Sequence, residues 1–233
     1  DMAFLFAVKK GWMAGNPWYE GRSKYTWFYP WLPEAASSLN EVISSIGAWD
    51  TSSVRTMAGM FMGQASFNAP LGSWNVSDVR NMSEMFQGAS AFNQPIGNWR
   101  VDKVTRMICM FREATSFNQQ IGGWRVDKVR NMSHMFKGAK AFNQPLDMWR
   151  VDNVTDMCAM FNGAESFNRP IGNWRVDNVT DMSSMFLFAT SFNQPIGSWN
   201  VSNVSDMSGM FFGFGMAFDQ PLGDWKLRCD CKT

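Results

Sequence analysis

Apolar residues recur along this chain with two different periods inside one repeating frame. Trp stands at 49, 74, 99, 124, 149, 174 and 199, each 25 residues after the last, and Trp225 follows one residue late. Phe67, Phe92, Phe117, Phe142, Phe167 and Phe192 keep the same period, and Phe218 is again one late. The extra residue falls between Phe211 and Phe218. The generic unit reads I-G-x-W-x-V-x-x-V-x-x-M-x-x-M-F-x-G-A-x-x-F-N-Q-P. In its first half Ile96, Trp99, Val101 and Val104 contain a Trp-x-Val step of period 2, which predicts a strand. In its second half Met82, Met85, Phe86 and Ala89 fall at i, i+3, i+4 and i+7, one face of a short helix. Asn81, Asp156, Asp181 and Asp206 precede the helical run, where N-caps belong. Gly88, Gly138 and Gly163 lie in its last turn and would stop it. Phe-Asn-Gln-Pro-Ile-Gly then supplies a turn rich in helix and strand breakers.

One strand and one short helix every 25 residues predict an α/β repeat solenoid of leucine-rich-repeat type. A single unit cannot bury both of its apolar faces, so the units must stack. Seven or so stacked strands about 4.8 Å apart would make a rod or shallow arc roughly 35–40 Å long. An all-β solenoid is the alternative, since the helices would have only two turns. Three regions follow: an aromatic-rich N-terminal cap or arm over 1–38, the solenoid over 39–227, and a Cys-containing tail over 228–233.

Stacking turns each repeat position into a column of side chains. The Trp, Val, Met and Phe columns read as core. A Trp ladder for stacking sugars is the rival, but the Trp-x-Val spacing puts Trp on the Val side, where its indole N–H needs a partner. Asn68, Asn93, Asn118, Asn143, Asn168 and Asn193, with Asp219 last, read as hydrogen-bonding backbone along the stack. Pro70, Pro95, Pro145, Pro170, Pro195 and Pro221 fix the turn, and Gln120 replaces Pro in one unit. The residue after Trp is Arg at Arg100, Arg125, Arg150 and Arg175, with Asp102, Asp127, Asp152 and Asp177 two places on. Both columns should face outward. They form either a self-neutralising ladder, each exposed pair worth under about 1 kcal/mol, or a binding face.

Composition sharpens this in two ways. The 19 Met and 12 Trp are far above ordinary usage and reflect one motif repeated. The net charge is +1, without the basic excess of a nucleic-acid binder.

The run Phe-Asn-Gln-Pro-Ile-Gly-Asn-Trp-x-Val-x-x-Val-x-x-Met-x-x-Met-Phe-x-Gly-Ala resembles the BspA-like leucine-rich-repeat group, a bacterial surface-protein repeat also found in Mycoplasma and Lactobacillus lipoproteins and abundant in microalgae. The resemblance covers roughly residues 39–227 and rests on a dozen positions recurring in every unit. It implies a leucine-rich-repeat-like solenoid and a secreted or cell-surface interaction role. It transfers no catalytic residue and no cofactor.

The N-terminal arm carries Trp12, Trp18, Tyr19, Tyr25, Trp27, Phe28, Tyr29 and Trp31, and with them every Tyr of the chain. It is expected to cap the first repeat, to anchor a protein partner, or to do both; a shallow membrane-interface contact is a weaker reading. Met2–Val8 is apolar but too short to span a bilayer. Asp1 in place of an initiator Met reads as a processed chain or one that starts within a longer one. At the other end Cys229 and Cys231 are candidates for a disulfide or redox pair, while Cys109 and Cys158 read as buried thiols.

Little in the chain points to catalysis. His134 is the single His, expected to be exposed on a helix. There is no phosphate-binding glycine loop and no calcium-loop spacing. An Asp column beside an Arg column is a poor metal site. The expected function is a non-catalytic interaction solenoid, secreted or surface-displayed, binding a protein or a glycan. The alternative is an accessory subunit in an organelle lumen or at the edge of a membrane complex, docked through the aromatic arm.

Overall fold

The computed structural model describes residues 46–233. The expected cap or docking arm over 1–38 lies outside the described residues. A short 3-10 turn, Ile46–Ala48, opens the described chain. From there successive units lie one on the next. Seven parallel bridges mark the register: Thr56 to Asn81, Asn81 to Arg106, Arg106 to Asn131, Asn131 to Asp156, Asp156 to Asp181, Asp181 to Asp206, and Asp206 to Lys232.

Met82 to Ala89, where the periodicity places a short helix, is built from consecutive turns. The amides of Met82, Glu84, Phe86 and Gly88 donate to carbonyls of the next unit, those of Arg106, Ile108, Met110 and Arg112, at 2.7–3.0 Å. The alternate amides fold back by three residues, Met85 to Met82, Gln87 to Glu84 and Ala89 to Phe86. A helix would have spent all of these amides inside one unit. The device that diverts them is a left-handed residue at two places in each turn run. One column holds Gly59, Glu84, Cys109, His134, Ala159, Ser184 and Gly209, with φ between 51° and 66°. The second holds Gly63, Gly88, Glu113, Gly138, Gly163 and Phe188, with φ between 56° and 73°. The expected N-caps are present in another form. The Oδ1 atoms of Asn81, Asn131, Asp156, Asp181 and Asp206 accept from the amide two residues on, at 2.8–3.0 Å. Each opens a turn that does not propagate. The Trp-x-Val step lies between two turns, closed by Trp99 donating to Ile96 and by Val104 donating to Val101.

The inward spacing survives this change of element. The Trp, Val, Met, Phe and Ala columns, with the Ile/Leu column before Trp, merge into one continuous core from Ile46 to Met210. Phe86, Phe92 and their equivalents are fully buried in the inner units. Within a unit Phe86 and Phe92 stack at 3.9 Å, and each column stacks on the next unit, Phe86 on Phe111 at 5.6 Å and Phe92 on Phe117 at 5.9 Å. Trp99 and Trp124 stack with centroids 6.3 Å apart and 3° between their ring planes. Each buried indole N–H is satisfied by the preceding unit. Trp99 donates to the Leu71 carbonyl, Trp124 to Ile96 and Trp149 to Ile121, at 3.0–3.1 Å. Parallel stacking thus places the ring edge against main chain, where its donor is needed.

The glycine before the x-Trp step has a packing cause. A Cβ on Gly122 would lie 2.6 Å from the Pro145 carbonyl oxygen of the next unit. The same clash awaits Gly172 at Pro195 and Gly197 at Pro221. Close approach of main chain between units favours glycine here, while Asp147 fills the same slot in one unit.

Candidate functional site

The outward rows after Trp occupy one side of the stack. Arg100, Arg125, Arg150 and Arg175 are 72–78% exposed, and their Asp partners lie lower, at 29–41%. Arg100 pairs with Asp102 at 3.2 Å, Arg125 with Asp127 at 3.7 Å and Arg150 with Asp152 at 3.3 Å. Arg175 lies between two units, 3.6 Å from Asp152 and 3.5 Å from Asp177. A hydrogen bond from Asn200, and then the Arg175 charge, hold the Asp177 carboxyl below its usual range. The rows neutralise each other, and the guanidinium groups form their outer layer. Two further ion pairs tie adjacent units, Lys103 to Asp78 at 2.5 Å and Lys140 to Glu165 at 3.0 Å. Their sequence signal is a charge at the same repeat position in neighbouring units, with opposite sign.

A second polar column lies at the Phe-Asn-Gln corner. The Oδ1 of each Asn accepts the amide of the next: Asn93 to Asn68, Asn118 to Asn93, Asn143 to Asn118, Asn168 to Asn143 and Asn193 to Asn168, at 2.9–3.1 Å. Asp219 closes the row, donating its amide to Asn193 at 3.0 Å. The following Gln donates to the same acceptors, Gln119 to Asn93 and Gln144 to Asn118. This Gln column was not singled out from the sequence, although its recurrence beside Asn was its signal.

The reactive side chains are spread over the stack. His134 is half-buried on a left-handed turn residue, not exposed on a helix, and its Nδ1 is buried without a partner. Burial, then the charges of Lys137 and Arg112, lower its pKa. Cys109 is buried and Cys158 partly so, and burial raises both thiols. Cys158 also accepts from Ser183 Oγ at 3.3 Å. Cys229 and Cys231 are both free thiols, the first exposed, the second packed against the core edge. The tail carrying them returns to the stack: Lys232 bridges to Asp206, and its carbonyl accepts from Met207 at 2.7 Å. Among the described residues no three His, Cys, Asp or Glu side chains come together as a metal site. No described helix is long and apolar enough to cross a membrane. Trp12, Trp18, Tyr19, Tyr25, Trp27, Phe28, Tyr29 and Trp31 lie outside the described residues.

A family model described as "Mycoplasma protein of unknown function, DUF285" matches the chain over residues 32–149 and 138–231. No curated protein and no solved structure matches it significantly.

Proposed function

Because this chain belongs to the family of Mycoplasma proteins of unknown function DUF285, we propose that it is a non-catalytic recognition scaffold that binds a protein partner through its Arg/Asp face. The BspA-like resemblance of the repeat adds the setting, a secreted or surface-displayed module. The fold reading that goes with it is a repeat solenoid, its unit a ring of turns and bridges nearer the all-β than the α/β form. One observation carries the binding face. Four guanidinium groups, each 72–78% exposed, are held in a row above recessed carboxylates. Arg offers planar, multi-donor contacts that suit protein interfaces. Its partners here are too exposed to bind it firmly, since such pairs are worth under about 1 kcal/mol. A partner carboxylate could therefore displace them at small cost.

The test is affinity capture with the full chain, comparing wild type with the four-fold variant R100Q/R125Q/R150Q/R175Q. The expected result is a protein partner retained by wild type and lost by the variant, with both chains equally folded by circular dichroism. Equal capture by both would sink the Arg row as the binding face.

A further inference from the structure

The proline column is broken once, at Gln120, and the break coincides with a trough of about 530 Å³ on the Asn/Gln corner. Its lining includes Pro95, Asn98, Gln119, Gln120 and Gln144, and no lining residue carries a formal charge. The amide groups there are not equivalent. Gln119 Nε2 is committed to the Asn93 carbonyl and Oδ1 at 2.9 and 3.0 Å. Gln144 Nε2 is committed to Asn118 at 2.9–3.1 Å, and Asn98 Nδ2 to the Gly72 carbonyl at 2.7 Å. Each of these carboxamides thus turns its NH2 into the stack and leaves its oxygen without a protein donor. Gln120 makes no hydrogen bond among the described residues, so it adds one free carboxamide with both donor and acceptor.

We propose that this trough binds a neutral, hydroxyl-rich chain, a glycan. Uncharged acceptors in a row select against anions, which they would repel. They also offer no carboxylate to hold a cation. An extended peptide fits less well, because its N–H donors alternate with carbonyls that would face the free amide oxygens and find few donors. Sugar hydroxyls can each donate to a carboxamide oxygen and accept from Gln120. The acceptors of Gln119 and Gln144 come from adjacent units, about 4.8 Å apart if they follow the bridge spacing. That is close to the advance of one pyranose ring in an extended chain. Pro95 is the one apolar side chain of the lining.

The lining contains no Arg or Asp of the outward rows, so the two proposals are tested by different substitutions. The key variant is Q120P. Proline stands at this position in the neighbouring units, at Pro95 and Pro145, and the Gln120 amide makes no hydrogen bond, so the substitution should fold. The full chain is titrated with neutral hexasaccharides of β-1,4-glucose, β-1,3-glucose and β-1,4-mannose, following the side-chain NH2 signals of Gln119, Gln120 and Gln144 by NMR. At least one hexasaccharide is expected to shift these signals in the wild type with a Kd near or below about 1 mM. In Q120P, with unchanged or higher melting temperature, binding should weaken at least roughly ten-fold. No shift with any of the three sugars, or equal binding by folded Q120P, overturns the proposal. Loss of the Arg-face partner in Q120P would instead mean that the trough belongs to the protein interface, and would overturn the glycan reading too.

Discussion

At the scale of single residues, the column of left-handed turn positions is where the chain is strained. Left-handed geometry costs an ordinary L-residue roughly 1–2 kcal/mol, and Glu84, Cys109, His134, Ala159 and Ser184 all adopt it. Each is repaid locally by an amide that donates to the next unit, as His134 does to the Cys158 carbonyl at 2.8 Å. His134 carries a second cost, a ring nitrogen buried without a partner. Its surroundings favour the neutral ring: burial first, then Lys137 and Arg112, opposed by Asp156 and Asp181. The pH dependence has a definite sign. With a folded pKa below the unfolded value of 6.5, the unfolded chain binds the proton first. Stability is therefore full above about pH 6.5 and falls as pH drops through that value. The lowered carboxyls of Asp177 and Asp206 act in a separate window, their contribution being lost only as pH falls below the usual carboxylate range. Denaturant midpoints measured from pH 8 to pH 5 should decline for wild type. They should stay flat for H134S, which places at 134 the residue found at Ser184 two column positions on. A decline of equal size in both would remove His134 as its source.

At the scale of the repeat element, much was legible and one thing was not. The core columns, the Asn column and the turn prolines follow from spacing and residue chemistry alone. The short helix does not survive, although Met82, Met85, Phe86 and Ala89 face inward as a helix would place them. Three-residue turns closed by i→i−3 hydrogen bonds keep nearly the same inward spacing as a helical turn, so periodicity cannot separate them. Gly88 in left-handed geometry could be anticipated from its residue type. Glu84, Cys109 and His134 could not, because only the next unit's carbonyls dictate that conformation. The two proposed sites were legible to unequal degree. The Arg and Asp rows were visible as columns. The trough was visible only as one missing proline, because its free acceptors depend on which way each amide turns. The Asn column allows a sharper test of the element. It uses Oδ1 as acceptor, and the last rung is Asp219. N118A would leave the Asn143 amide unpaired and the Gln144 side chain with the Asn118 main-chain carbonyl alone. A lost partner costs about 1–3 kcal/mol, and a destabilisation in that range is expected by chemical denaturation. N118D keeps an acceptor in place and should recover more than half of it. Equal losses for both substitutions would mean that the column packs by shape and not by its oxygen.

At the scale of the whole molecule, stability should behave as a sum over units and the contacts between them. Every core column and every bridge runs from one unit to the next, so no single pair of residues closes the fold. Register is then the quantity that must be conserved. The chain shows how narrowly an exception is allowed. Its one extra residue lies between Phe211 and Phe218, in a stretch with Gly213 and Gly215, both at positive φ. Beyond it the columns realign, Phe218 stacking on Phe192 at 5.9 Å and Trp225 on Trp199 at 6.5 Å. A glycine-rich turn absorbs the slip there because it points no core residue inward. Removing residues 125–149 joins Trp124 to Arg150, and every column continues unbroken with one unit fewer. That deletion should fold cooperatively, keep its near-ultraviolet Trp signal, and melt lower by roughly 2–8 °C. Removing residues 125–148 is smaller by one residue but puts Trp149 in the outward slot after Trp124. Each later Trp, Val, Met and Phe then meets the wrong column. This shorter deletion should lose cooperative unfolding and the fixed Trp environment. If it proves as stable as the longer one, the columns do not set the register, and the turn hydrogen bonds between units must do so without them.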